Sequence, residues 1–176
     1  MTIVLVEGQS DLIAVETVMA RASSSVEFEI VAMGGATNVR TFLNDITRDL
    51  TVLGLCDIAE APLFRRAGIS EQDCFVCVAD LEDELIRSLG ADAVLEVVAA
   101  EGHLRSFRTM QKQPAQRDRD VESQLRRFIG SHSGFKQRYA QRLSAVAIER
   151  DRVPAPLRSL RERLETLSDG GAERRG

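Results

Sequence analysis

The chain has no tryptophan, one tyrosine, two histidines, three cysteines and only two lysines in 176 residues. Each scarcity removes a class of function. His103 and His132 stand apart, neither with a partner at ligand spacing, so zinc is disfavoured. Cys56, Cys74 and Cys77 are an odd number of thiols set inside apolar runs, which argues against a disulfide framework and for a reducing compartment. Cys74 and Cys77 have C-x-x-C spacing, but residues three apart on a strand face opposite sides, and the pair is assigned to core. Aromatic side chains make up 5% of the chain, too few for base stacking to account for affinity toward a nucleic acid. No run approaches the ~18 apolar residues of a membrane span and no basic patch precedes the first apolar segment, so the chain is read as cytoplasmic and off the membrane.

What is present is a segregated charge pattern. The net charge of −4 divides into 6 basic and 17 acidic residues over positions 1–100, and 15 basic and 7 acidic over 101–163. An acidic half beside a basic half fits metal ligands next to a surface for a polyanion, although solvated helix faces give the same counts.

The first half reads as strands alternating with helices. Apolar runs at Thr2–Val6, Glu27–Met33, Thr51–Cys56 and Cys74–Ala79 are strand-like. Helical spacing follows at 12–22, 37–50 and, more briefly, 63–67. Such a series implies an α/β fold with a parallel sheet of about four strands flanked by helices. Positions 1–100 would form this core. Positions 101–167 would form a helical extension on or next to it, with helices near 104–110, 121–129, 135–147 and 157–167. Residues 91–100 read as a helix, with a short fifth strand as the alternative. The glycine-rich, charged tail 168–176 has too little apolar surface to order.

Three strands end in an acid, and parallel strands deliver their ends to one edge, where open α/β sheets bind ligands. Glu7, Asp57 and Asp80 would therefore share an edge with Asp11, Glu60 and Glu82. So many carboxylates repel one another unless a small hard cation neutralises them, which favours one or two Mg²⁺ or Mn²⁺ ions. Glu82, Asp83 and Glu84 also suit a helix N-terminus for structural reasons alone. Gly34-Gly35 suits a tight turn, or a ligand close to the backbone. Arg105, Arg108, Arg126, Arg127, Arg138 and Arg142 could neutralise a nucleic-acid backbone.

The run Val6-Glu7-Gly8-Gln9-Ser10-Asp11, Gly34-Gly35 with Asn38, Asp57 closing the third strand, Leu81-Glu82 after the fourth, and Ser133-Gly134-Phe135-Lys136 opening a late helix together resemble the Toprim domain. Within that group they are most similar to the Toprim part of the overcoming-lysogenisation-defect (OLD) nucleases. The resemblance covers about residues 2–147 and is less specific after residue 100. It implies a Rossmann-like Toprim fold and a magnesium-dependent nuclease acting on nucleic acid, DNA foremost. By resemblance Glu7 and Asp11 match the first acidic pair, with Glu7 holding a metal or acting as general acid/base. Asp57 matches the first aspartate of a D-x-D motif, Glu82 the acid after strand four, and Lys136 a lysine that steadies the phosphate.

Two departures stand out. Ala59 occupies the second D-x-D position, with Glu60 as the nearest carboxylate. No G-x-x-x-x-G-K-[ST] loop occurs, so the ATPase joined to this module in OLD nucleases is expected either on a separate chain or not at all. The leading expectation is a stand-alone metal-dependent phosphodiester hydrolase. The alternatives are a catalytically silent module that docks a partner and a receiver-like signalling domain.

Overall fold

A computed structural model describes residues 1–20, 27–45, 50–132 and 134–172. The strands are β1 (Thr2–Val6), β2 (Phe28–Ala32), β3 (Thr51–Asp57) and β4 (Cys74–Cys77). The helices are α1 (Gln9–Met19), α2 (Val39–Asp45), α3 (Ala61–Ala67), α4 (Leu81–Leu89), α5 (Ala91–Ala100), α6 (Leu104–Gln111), α7 (Val121–Gly130), α8 (Phe135–Glu149) and α9 (Ala155–Ala172). The serine run 23–25 and Ser133, read above as a helix break and as part of a motif, lie outside the described residues, as do 46–49 and 173–176.

The four strands form one parallel sheet in the order β2-β1-β3-β4. β1 is buried along its whole length, because it sits between two strands and is covered on both faces. Alternation assigns its side chains: Val4 and Val6 join a large core with Leu53, Leu55, Phe75 and Cys77, while Ile3 and Leu5 join a smaller one with Cys56 and Phe64. α2 and α3 cover the smaller core; α1 and the helices from α4 onward cover the larger. Residues 101–167 thus share the sheet's main core: Phe107, Phe128, Tyr139 and Leu143 are wholly buried in it.

Cys74 falls in the smaller core and Cys77 in the larger, as strand alternation requires, and Cys74 Sγ lies 3.7 Å from Cys56 Sγ. Positions 91–100 are helical, so the fifth-strand alternative is set aside, and with it the receiver-like reading that needs such a strand. Within the segment 112–120, read as loop, residues Pro114–Gln116 make a 3₁₀ turn. The last helix runs past Leu167 to Ala172, since once a helix is nucleated each further turn costs little. No helix among the described residues is long and apolar enough to cross a membrane.

Candidate metal centre

Parallel pairing carries the ends of β1, β3 and β4 to a single edge, and three turns there hold the acids. After β1 the chain reverses at Gly8, whose N–H donates to Asp11 Oδ2 at 2.9 Å. After β2 the N–H groups of Gly34 and Gly35 both donate to the carbonyl of Glu7, at 2.9 and 3.1 Å, which fixes the backbone carrying that glutamate. Both glycines have positive φ, +71° and +130°, a region costly for other residues. Asn38 Nδ2 donates to the Met33 carbonyl at 2.9 Å and locks the same turn. After β3, the Glu60 N–H donates to the Asp57 carbonyl at 3.0 Å, and Glu60 becomes the N-cap residue of α3.

These turns bring carboxylate oxygens of Glu7, Asp57 and Glu60 within 4.8 Å of one another. Octahedral Mg²⁺ spans about 4 Å between opposite ligands, so the three oxygens need little rearrangement to embrace one. The turn at Asp57 and the length of a glutamate side chain bring Glu60, one residue beyond Ala59, into this group. A cavity of about 420 Å³ opens beside them, walled also by Ser10, Asp11, Asp80, Glu82 and Lys136.

The acids strain one another electrostatically. Burial pushes Asp11 up to about 7, with the charges of Glu82 and Glu7 adding to it against the Gly8 hydrogen bond. Burial, then the charges of Asp80 and Glu7, pushes Asp57 up to about 6. Burial, then the charges of Glu7 and Asp57, raises Glu60 to about 7. Two buried carboxylate oxygens, Glu60 Oε2 and Glu82 Oε1, accept no hydrogen bond. Lys136 Nζ faces the Glu82 oxygen; the Glu60 oxygen has no such neighbour, and a cation beside Glu7, Asp57 and Glu60 would offset the cost of burying it. The donor set is all oxygen, so the residues fit magnesium or manganese.

The acids after β4 divide by task. Asp80 Oδ1 accepts from the Asp83 N–H at 2.7 Å as the N-cap of α4, and Asp80 Oδ2 accepts from Arg126 Nε at 2.9 Å, so both of its oxygens have partners within the chain. Asp83 pairs with Arg87. Glu84 accepts from the Val78 N–H at 2.8 Å and braces the loop. Glu82 alone of these faces the cavity without a hydrogen bond, and Lys136 Nζ stands 3.5 Å from its Oε1.

Lys136 also walls a second cavity of about 330 Å³ with Arg119, Arg126 and Arg127. Arg119 was not singled out from the sequence; nothing in a polar loop distinguishes it from Arg117. Arg138 and Arg142, expected beside nucleic acid, instead share Glu101 at the end of α5 as their partner, at 3.6 and 2.7 Å. Helix geometry is the reason: positions two and six after Lys136 turn well away from it. Arg108 hydrogen-bonds Gln111 on the exposed side of α6.

No protein-family model matches the chain, and no curated protein matches it either. Its fold is that of solved C-terminal regions of OLD proteins, as the sequence resemblance implied. That from Xanthomonas campestris pv. campestris superposes with a TM-score of 0.66 at 22% identity, over 98% of this chain and 97% of the other. That from Burkholderia pseudomallei superposes with a TM-score of 0.67 at 17% identity, over 95% of this chain and 98% of the other.

Proposed function

We propose that the chain is a divalent-metal-dependent nuclease of the OLD type that hydrolyses phosphodiester bonds in nucleic acid, with DNA the first candidate. The observation carrying this reading is the meeting of Glu7, Asp57 and Glu60, with one buried Glu60 oxygen that accepts no hydrogen bond, near the ion pair of Glu82 and Lys136. Glu7, Asp57 and Glu60 would hold a first ion, and Asp11 and Glu82 would serve a second. Mg²⁺ or Mn²⁺, when bound, supplies Lewis-acid polarisation of the phosphoryl group and makes water more acidic. Lys136 would leave Glu82 for the phosphate and offset charge that builds on its oxygens. Glu7, whose carbonyl accepts from Gly34 and Gly35, would hold the ion or, in its stead, act as general acid/base toward the attacking water. Arg119, Arg126 and Arg127 would hold backbone phosphates on either side of the cut, without reading sequence.

One observation favours a second reading, a silent module that docks a partner such as a separate ATPase chain: Asp80 and Glu82 already face the chain's own cations, Arg126 and Lys136. Supercoiled plasmid separates the two. Under the nuclease reading the purified chain nicks plasmid with Mg²⁺ or Mn²⁺, and Glu7→Gln and Asp57→Asn each abolish nicking. An inert wild type under both metals leaves the docking reading.

A further inference from the structure

Three rings, one from the start of α6 and two from the turn into α8, are stacked in one column. His103 lies 4.5 Å from Phe135 between ring centroids, inclined by 28°, and His132 lies 4.6 Å from it at 25°. Two rings this near and nearly parallel cannot share one face of Phe135, so the phenyl ring is sandwiched and each histidine ends the column. The inner end is anchored: His103 Nδ1 sits 2.9 Å from the hydroxyl of the wholly buried Tyr139. Phe128 closes edge-on against Phe135 at 5.5 Å. The outer end is open: His132 is exposed, and its Nδ1 lies 2.7 Å from Ser131 Oγ, which holds the ring's orientation.

His132 borders a cavity of about 450 Å³, whose other walls include Gln9, Ser10, Lys136 and Gln137. Ser10 and Lys136 also wall the acid cavity, so the two spaces are neighbours. The volume falls in the ~300–1,000 Å³ range of small-ligand pockets. A pre-stacked column ending at solvent is a platform for one more flat ring, and the glutamine amides offer donors and acceptors to a ring edge.

We propose that this cavity seats the nucleobase adjoining the phosphate held at the acid cluster, so that the strand to be cut enters unpaired, as a single strand, flap or frayed end. The inference rests on the nuclease reading and narrows its substrate class. A paired base has both faces covered by its neighbours and must leave the duplex to stack on protein, whereas an unpaired strand offers its bases freely.

The test is fluorescence-anisotropy binding by the full chain with Ca²⁺, using a short oligothymidine and an abasic oligonucleotide of the same length and phosphate count. Wild type is expected to bind oligothymidine roughly tenfold more tightly, the equivalent of about 1.4 kcal/mol for one stacked base. His132→Ala should erase that preference and bind both strands at the abasic affinity; His132→Phe should keep it. Equal wild-type affinity for both strands, or a preference that survives His132→Ala, overturns the base site while leaving nucleic-acid binding intact. Failure of wild type to bind either strand overturns the nuclease reading together with it.

Discussion

Glu60, the N-cap residue of α3, reaches Glu7 and Asp57 through its side chain and the turn after β3. Its charge is costly in the absence of a cation, because it sits with Glu7 and Asp57 within 4.8 Å. Glu60→Gln should therefore act with opposite signs on the two forms. It should raise the melting temperature of the metal-free protein at pH 8 by a few degrees, and lower metal affinity by at least ~100-fold, the upper end of what losing even an outer-sphere partner costs. Melting scans in EDTA and in a Mg²⁺ series give both numbers; a melting temperature that falls in EDTA would contradict the repulsion. Protons should act as the substitution does. Asp11, Asp57 and Glu60 are raised to about 7, 6 and 7, so their protonated forms favour the fold. That contribution is complete below pH 4 and disappears as pH rises through 6 to 7. For these groups the metal-free melting temperature should drop from pH 5 to pH 8, by about 5 °C or more, and saturating Mg²⁺ should reverse the drop at pH 8. A flat profile in EDTA would mean that neither burial nor the neighbouring charges raise these carboxylates.

At the scale of elements, the site depends on how closely α3 approaches β3. A Cβ at Gly54 would stand 2.5 Å from Phe64 Cδ1, so only glycine lets the wholly buried Phe64 lie flat on the strand. Phe64 fixes α3, and Glu60 is its N-cap residue. Gly54→Ala should cost ~1–3 kcal/mol of overpacking and weaken Mg²⁺ binding as well, though residue 54 touches no ligand; calorimetry of the folded variant checks the second effect. α4 shows the same coupling in reverse. Its cap consumes Asp80, and its first turn spends Asp83 and Glu84 on Arg87 and the Val78 N–H, which leaves Glu82 facing the cavity. On α8 one face presents Lys136 to the acids, and another presents Arg138 and Arg142 to Glu101.

At the scale of the whole molecule, the basic second half is folded onto the acidic edge of the first, and α7 and α8 set a short cationic groove against it. Arg119, Arg126, Arg127 and Lys136 line this groove against Asp80, Glu82 and Asp83, which leaves it one positive charge in excess. Asp80 holds Arg126; if Arg119, Arg127 and Lys136 each neutralise one phosphate of a single strand, log K should fall with log salt at a slope near −2, at about 0.7 per contact, and Lys136→Ala should reduce the magnitude by about 0.7. Arg138→Ala and Arg142→Ala should leave the slope unchanged, because Glu101 rather than the groove holds them. Titrations of binding from low to moderate salt measure this, and a slope that responds to Arg138 but not to Lys136 would move the interface to another face.

Hydrophobic period and strand endings carried much of this protein in one dimension. Four strands, their parallel course and the shared edge of Glu7, Asp57 and the loop after β4 follow from which residues alternate, and from the rule that parallel strands deliver their ends together. The candidacy of Glu60 was legible too, because a carboxylate one residue from a lost one lies within reach. Other features depend on contacts between segments far apart in sequence, which local pattern does not encode. Asp80 and Glu82 look alike as letters; Arg126, 46 residues on, hydrogen-bonds the first, while the second accepts no hydrogen bond and has only Lys136 at 3.5 Å. Lys136 and Arg138 look alike as charges, yet the packing of α8 sends one to the acids and the other to Glu101. His132 stacks on Phe135 three residues later by local geometry, but His103 joins the same column only because the start of α6 meets the start of α8. The chain's local chemistry therefore chose the sheet and its acidic edge, while burial and distant partners decided which side chains at that edge remain free to bind.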